Sequence, residues 1–236
     1  MSGVLLSALA MACGGSSAAR DTASSTKPAS PPESPSAAAT AATDTVPTTL
    51  DERRTILFLG TSLTAGLGLD PDSAYPQQIQ RKIDASGLSY QVVNGGVSGE
   101  TSAGLLRRLD WVLRRPADVV VVETGANDGL RGLPVSATRS TIGEILSRIR
   151  RDRPKAAILL VQMEAPPNLG HEYTSAFHAM FPEVAREHGV TLLPFMLEGV
   201  AGEQRLNQAD GIHPNNDGER IVAENVWRVL RPVLTR

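Results

Sequence analysis

Cysteine and aromatic residues are scarce in this chain, and each shortage excludes a class of site. A single cysteine among 236 residues permits no intramolecular disulfide and leaves no cysteine-based metal site. Only nine residues are aromatic (four Phe, three Tyr and two Trp), which disfavours a groove that stacks sugar rings. Charge of one sign is not in excess either, because the formal net charge is −2 and no basic stripe with interleaved aromatics occurs. Nucleic acid is therefore not an expected partner.

The one cysteine follows a short apolar segment near the N-terminus. Residues 4–12, "VLLSALAMA", have the length of a secretory h-region and are too few to span a bilayer as a helix. Small residues, then Cys13 and "GGSS", resemble a bacterial lipoprotein signal, in which the cysteine becomes the acylated N-terminus. Leu9 departs from that pattern by lying four residues before Cys13 instead of three, and "MSG" lacks the usual Lys or Arg. We expect an exported protein, periplasmic or at the cell surface, with a lipid anchor at Cys13. The alternative is an ordinary signal peptide cleaved near Ala12.

The composition divides the rest of the chain into two parts. Residues 14–52 contain no aromatic residue and consist almost entirely of Gly, Ser, Ala, Thr and Pro with scattered charges. Such a stretch cannot bury enough apolar surface to offset its ordering entropy, so we predict a flexible tether. Residues 53–236 have a suitable size for one domain with one core, and no internal repeat interrupts them. We expect this domain to be a monomer.

Five apolar segments alternate with helical patterns along the domain. The middle apolar segments are near-continuous runs of β-branched residues and leucine, which is typical of strands buried on both faces of a parallel sheet. Strands are predicted at 55–59, 90–94, 118–123, 156–163 and 190–194. Helices are predicted at 75–86, 101–115, 136–152, 172–188 and 218–234. The alternation predicts an α/β fold, a three-layer α/β/α sandwich with a five-stranded parallel sheet.

A serine follows the end of the first predicted strand. The segment "ILFLGTSLTAG", residues 56–66, runs five apolar residues into Gly60, and Ser62 lies two residues further on. Ser62 could cap the next helix, or it could be a nucleophile at the mouth of a cleft. Because ligands of such sheets bind at the carboxyl ends of the strands, this position favours the nucleophile.

A serine nucleophile needs a general base, and a carboxylate that orients the base improves it. His213 stands in "DGIHPNN", three residues after Asp210. Pro214 excludes His213 from the helical region, so both side chains belong to an irregular loop where one turn can join them. The other histidines fall in or beside predicted helices: His171, His178 and His188. Of these only His171, after the loop "EAPPNLG", could line a cleft.

Acyl transfer also needs donors aimed at the oxyanion that forms on the substrate. Two loops after predicted strands have suitable residues. In "NGGVSGETS", residues 94–102, Gly99 allows a backbone N–H to approach a ligand closely. In "ETGANDG", residues 123–129, Asn127 has an uncharged side-chain donor. Asn and Gly also make ordinary turns, so neither loop is strong evidence alone.

Together these segments resemble the SGNH (GDSL) hydrolases, named after the Ser, Gly, Asn and His that they share. The similarity runs from "LGTSLTAG" through "VVNGGVSGETS" and "GANDGLRG" to "DGIHPN", in the family's order. It implies a flavodoxin-like fold and catalysis without metal or organic cofactor. It implies Ser62 as nucleophile, His213 as base and then acid, and Asp210 as the residue that orients it. The implied oxyanion donors are the N–H groups of Ser62 and Gly99 and the Asn127 side-chain amide.

Within that family, "GANDGLRG" is most similar to the branch of bacterial periplasmic thioesterase/lysophospholipase enzymes and arylesterases. Thr61 replaces the Asp that usually precedes the serine, so a hydroxyl stands where a charged acceptor would brace the turn. We expect an esterase acting on aryl or short- to medium-chain acyl esters, lysophospholipids or acyl thioesters. Leu130, Leu133 and Pro167, on loops beside the predicted cleft, should shape an apolar acyl pocket.

Three alternatives stay open at the level of sequence. A deacetylase of a polysaccharide or cell-wall glycan would use the same mechanism, but the leucine-rich loops favour acyl chains. A non-catalytic binding module of the same fold would explain Thr61, although Ser62, Asp210 and His213 are all present. A structural lipoprotein that needs only its tether would have no reactive serine.

Overall fold

A computed structural model of the chain describes residues 53–236. The predictions for the signal segment, for Cys13 and for the tether at 14–52 concern residues outside this range. Within the described range, no helix combines the length and apolar character that crossing a membrane requires.

The described residues form a five-stranded sheet in which every neighbouring pair of strands is parallel. The strands are β1 (Arg54–Gly60), β2 (Tyr90–Gly96), β3 (Val119–Val122), β4 (Ala157–Val161) and β5 (Thr191–Leu193). Their spatial order is β2-β1-β3-β4-β5, the order of flavodoxin-like sheets. The predicted α/β fold and parallel sheet are therefore confirmed, with strand ends shifted by a few residues.

Seven helices accompany the strands over residues 53–236. They are α1 (Ser62–Ala65), α2 (Tyr75–Ala85), α3 (Ser102–Val112), α4 (Ala126–Leu130), α5 (Val135–Asp152), α6 (His171–Glu187) and α7 (Asn216–Leu234). The five long ones correspond to the predicted helices. The two short ones, α1 and α4, were not predicted, because four or five residues are too few to show a helical period.

The strand order determines which helices lie together. The chain moves outward from β1 to β2 and then returns past β1 to β3, so right-handed crossovers place α2 and α3 on opposite faces. Consistent with this, α2 packs against α7, whereas α3 packs against α5 and α5 against α6. The sheet between these layers is the core, and all four residues of β3 are buried valines. Because the direction of the strand order reverses between β1 and β3, a crevice forms at the carboxyl ends of these two strands, where α1 and α4 begin.

The last helix starts earlier than its pattern predicted. Asn215 caps it, because the side-chain oxygen accepts hydrogen bonds from the N–H groups of Asp217 and Gly218 at 3.0 and 3.1 Å. Pro214 therefore lies before the helix, in an isolated antiparallel bridge with Asn207, and not in its first turn. The extended backbone there keeps the preceding residue, His213, in the loop.

Candidate active site

The turn between β1 and α1 presents Ser62 at the edge of the sheet. Thr61 is the residue that flanks the helix, in extended conformation, and Ser62 is the first residue of the helix itself. The hydroxyl of Ser62 therefore does not cap α1. Gly60 permits this tight turn, since a Cβ there would lie 1.9 Å from Thr64 Oγ1.

Three of the side chains singled out in the sequence form one hydrogen-bonded line. Ser62 Oγ lies 2.9 Å from His213 Nε2, and His213 Nδ1 lies 2.6 Å from Asp210 Oδ2. With the proton on Nδ1 donated to Asp210, the Nε2 lone pair faces the Ser62 hydroxyl and accepts its proton. The arrangement can therefore activate Ser62 as a nucleophile.

Asp210 is held as a carboxylate by its own loop. Its Oδ1 accepts the backbone N–H groups of His213 at 3.0 Å and Ile212 at 2.9 Å. These two N–H donors, together with the His213 ring, hold the pKa of the Asp210 carboxyl well below its usual range. The carboxylate therefore stays ionised near neutral pH and keeps the His213 ring in one orientation.

Hydrogen bonds of Gln208 connect the loop of Asp210 and His213 to the segment after α1. Its backbone N–H donates to the His213 carbonyl at 2.7 Å. Its side-chain Nε2 donates to the carbonyls of Leu67 (2.7 Å) and Pro214 (3.0 Å). Since Leu67 lies just after α1, the glutamine amide links the loop that contains His213 to the segment that contains Ser62.

The three predicted oxyanion donors line the same cavity as Ser62 and His213. Among residues 53–236, nothing accepts the N–H of Ser62 or of Gly99, so both donors are free. Asn127 uses one amide hydrogen on the Glu100 carbonyl, at 3.0 Å. This bond orients the side chain and leaves its second hydrogen available.

A buried carboxylate joins the two loops that contain these donors. Asp128 accepts the N–H of Ser102 at 2.8 Å and its hydroxyl at 2.5 Å. Asp128 belongs to α4 and Ser102 begins α3, so the carboxylate ties the Asn127 segment to the Gly99 loop. Nothing in the local pattern indicated this role, because the partners lie 26 residues apart.

A buried carboxylate also supports the turn at Ser62. Glu123, at the end of β3, accepts the N–H of Thr61 at 2.6 Å and the hydroxyls of Thr61 and Thr64 at 3.0 Å. Burial raises the pKa of Glu123, while the donors on these two threonines lower it. The sequence indicated that this turn had lost its charged acceptor at Thr61. The structure shows that the Glu123 carboxyl is the acceptor in this turn and that Thr61 is its donor.

This polar cluster continues to the last helix. Thr64 Oγ1 lies 2.9 Å from Tyr75 Oη, and the Tyr75 N–H donates to Glu219 Oε2 at 2.7 Å. Burial is also the main cause that raises the pKa of Tyr75 well above its usual value and that of Glu219 to about 8. A buried polar path therefore connects the turn at Ser62 with α7, which directly follows the His213 loop.

The cavity that holds these groups has a volume of about 570 Å³ and a largely apolar wall. Apolar lining residues include Leu67, Leu130, Met163, Phe195, Leu197 and Ile212. Leu130 and Pro167, two of the predicted pocket residues, line it. Leu133, the third, is not among the lining residues; its N–H donates to the Asp128 carbonyl and its carbonyl accepts the Tyr173 hydroxyl.

The remaining histidines stand apart from Ser62. His171 begins α6 and contacts Ser175, and His188 at the end of the same helix contacts Ser147. His178 bonds to Glu164, which lines the cavity and which the sequence had not singled out. Over the described part of the chain, no three His, Cys, Asp or Glu side chains are grouped so as to hold a metal ion.

Comparison with known proteins agrees with this geometry. Esterase TesA of Pseudomonas aeruginosa is 40% identical over 183 residues, covering 77% of this chain and 90% of the relative. Thioesterase 1/protease 1/lysophospholipase L1 of Escherichia coli is 38% identical over 181 residues, covering 76% and 85%. The crystal structure of the psychrotrophic esterase EstA from Pseudoalteromonas sp., inhibited by monoethylphosphonate, superposes with a TM-score of 0.73 at 32% identity, covering 78% of this chain and all of that one.

A match over most of the domain shows which family the chain belongs to. Residues 58–221 match the GDSL-like Lipase/Acylhydrolase family, and the matched segment contains Ser62, Gly99, Asn127 and His213. The chain therefore belongs to the GDSL-like lipase/acylhydrolase family of ester hydrolases.

Proposed function

We propose that this chain hydrolyses carboxylic esters through an acyl-enzyme on Ser62. The observation that carries the proposal is the line of contacts from Ser62 Oγ to His213 Nε2 at 2.9 Å and from His213 Nδ1 to Asp210 Oδ2 at 2.6 Å. This line opens into a cavity whose wall is mostly apolar. A nucleophile, a base with a fixed tautomer and free N–H donors are the parts that acyl transfer needs.

In the first half of the reaction, His213 Nε2 removes the Ser62 proton as Oγ attacks the ester carbonyl carbon. The carbonyl oxygen becomes an oxyanion and accepts hydrogen bonds from the Ser62 and Gly99 N–H groups and from Asn127. Asp210 stabilises the imidazolium that forms. The imidazolium then returns its proton to the leaving alkoxide, and the acyl group stays on Oγ.

In the second half, water attacks the acyl-enzyme. His213 takes a proton from this water, and the same three donors stabilise the second oxyanion. The imidazolium returns the proton to Ser62 Oγ as the acid leaves. The nucleophile, the base and acid, and the oxyanion donors in both halves are groups of the chain, and water is the second reactant.

The cavity favours acyl chains over sugars as the bound group. Phe195 is the one Phe, Tyr or Trp among the lining residues in the part of the chain that the structure describes, whereas four leucines and two prolines line the cavity. We propose aryl and short- to medium-chain acyl esters as substrates, with acyl thioesters and lysophospholipids included. The relatives named as an esterase and a thioesterase/lysophospholipase support this choice.

A panel of substrates tests this assignment. The set comprises aryl esters of increasing acyl length, an acyl-CoA, a lysophospholipid and an acetylated glycan. We expect hydrolysis of the acyl esters, with kcat/KM rising with chain length until the cavity is filled. Activity confined to the acetylated glycan would favour a deacetylase. Inactivity on every substrate would favour a binding module.

The Asn127 side chain provides a sharper test of the oxyanion site. Replacing Asn127 by Ala removes a hydrogen bond that strengthens only when charge builds up on the substrate oxygen. We expect kcat to fall by about 10²–10³ with little change in KM. The measurement is steady-state kinetics on one aryl ester. A variant with raised KM and unchanged kcat would make Asn127 a ground-state binding residue instead.

We also propose that the protein is exported and attached to a membrane through acylated Cys13. The support is the sequence pattern around Cys13, with small residues before it and "GGSS" after it. In a bacterial host, Cys13→Ser should move the protein from the membrane fraction to the soluble fraction without changing its specific activity. Unchanged fractionation of the variant would remove the anchor from the proposal.

A further inference from the structure

One charged side chain interrupts the apolar wall of the cavity. Among the described residues that line it, Glu164 is the single acidic one. Its side chain is 33% exposed. A carboxylate in an apolar wall is costly unless donors satisfy it. The position of Glu164 in this wall therefore suggests that its carboxylate contacts a polar or charged group of the substrate.

The two oxygens of this carboxylate have different surroundings. Oε1 accepts the Gln162 amide at 2.9 Å and lies 2.8 Å from His178 Nδ1, which is itself 2.9 Å from the Gln162 amide nitrogen. These contacts fix the orientation of the group. No donor among residues 53–236 reaches Oε2, which is also not sealed from solvent. One oxygen thus anchors the carboxylate, and the other is free to accept a hydrogen bond or a positive charge.

The topology places Glu164 on the acyl side of the scissile bond. The leaving group must face His213, which returns the proton to it. The oxyanion donor Asn127 follows β3, and Glu164 follows β4, one strand further from Ser62. Two strand spacings separate β1 from β4, so the strand ends that precede Ser62 and Glu164 lie about 10 Å apart across the sheet. A group on the acyl chain at that distance from the carbonyl would meet Oε2.

We propose that Glu164 determines acyl specificity, selecting esters whose acyl chain has a cationic group, such as an ammonium, about 10 Å from the carbonyl. The inference rests on the proposed esterase function and adds a substrate class to it. Oε2 pairs with the substrate cation, and the surrounding apolar wall strengthens this attraction. A negative group at the same place would be repelled, so acyl chains with a terminal carboxylate are poor substrates.

Matched substrates separate this role from a structural one. We would compare p-nitrophenyl esters whose straight acyl chains end in trimethylammonium, in the neutral isostere tert-butyl, or in carboxylate, over several chain lengths. The variant is Glu164→Gln, which keeps the shape of the side chain. The control is Glu144→Gln, which removes an exposed negative charge on α5 beside Arg148. Hydrolysis of the tert-butyl ester by the unmodified protein tests the esterase function separately.

In the unmodified protein, the trimethylammonium ester should have the highest kcat/KM and the carboxylate ester the lowest. Glu164→Gln should lower the cation-to-anion ratio by about tenfold, mainly through KM, and leave the tert-butyl ester nearly unchanged. The effect should be largest at the chain length that reaches about 10 Å. A merely structural Glu164 would instead lower all three rates together. That result, an unchanged ratio, or an equal change in Glu144→Gln would overturn the specificity role while leaving the esterase function intact.

Discussion

Replacing Ser62 by Ala should lower kcat for ester hydrolysis by about 10⁶, the size of the loss when the serine nucleophile of a triad is removed. The reason is that the acyl-enzyme cannot form without Oγ, and His213 alone has no nucleophile to activate. Substrate binding should change little, because the apolar wall of the cavity stays intact. Steady-state and single-turnover kinetics on one aryl ester measure both effects.

The matched control for this variant is Ser140→Ala, on the exposed surface of α5. We expect the control to retain full activity and both variants to keep the melting temperature of the unmodified protein. If Ser62→Ala retained activity within about tenfold, the acyl-enzyme mechanism would be wrong, since the three donors alone do not supply a nucleophile.

Asp210→Asn should have the second-largest effect, a loss of about 10⁴ in kcat. The amide can donate to His213 Nδ1, so it favours the tautomer whose Nε2 carries the proton and cannot accept one from Ser62. The N–H groups of Ile212 and His213 can still bond to the amide oxygen, so the loop should keep its shape. The measurement is kcat at several pH values. A thermal melt checks that the variant is folded.

Asp152→Asn is the matched control for Asp210→Asn. Asp152 is an acidic residue at the end of α5 whose carboxylate bonds to Arg151. It should leave kcat unchanged. A loss below about tenfold in Asp210→Asn would show that the His213 ring is oriented by the loop alone.

The sequence predicted those features that depend on neighbouring residues. The apolar runs indicated the parallel strands, because strands covered on both faces need no alternation. Asp210 and His213 lie three residues apart, and Pro214 restricts the backbone between them and the helix. Their meeting at 2.6 Å follows from that local geometry. The contact between His213 and Ser62 joins residues 151 positions apart, and only the resemblance to the SGNH hydrolases implied it.

The features that escaped prediction depend on long-range contacts. Glu123 supports Thr61 from 62 residues away, although a carboxylate directly after four buried valines was a visible signal. Leu133 was predicted in the acyl pocket because its loop lies beside the cleft, but it is not among the residues that line the cavity. Glu164 was overlooked because a single acidic residue in a loop normally faces water.

The most direct test of Ser62 as the nucleophile is the site of covalent labelling by a fluorophosphonate probe. Intact mass and peptide mapping identify the labelled residue. The related esterase EstA is known in a structure inhibited by monoethylphosphonate, which makes this reagent class suitable. We predict one adduct, on the Oγ of Ser62, present in Ser140→Ala and absent from Ser62→Ala. An adduct on another serine, or full hydrolysis by a protein that no probe labels, would contradict Ser62 as the nucleophile.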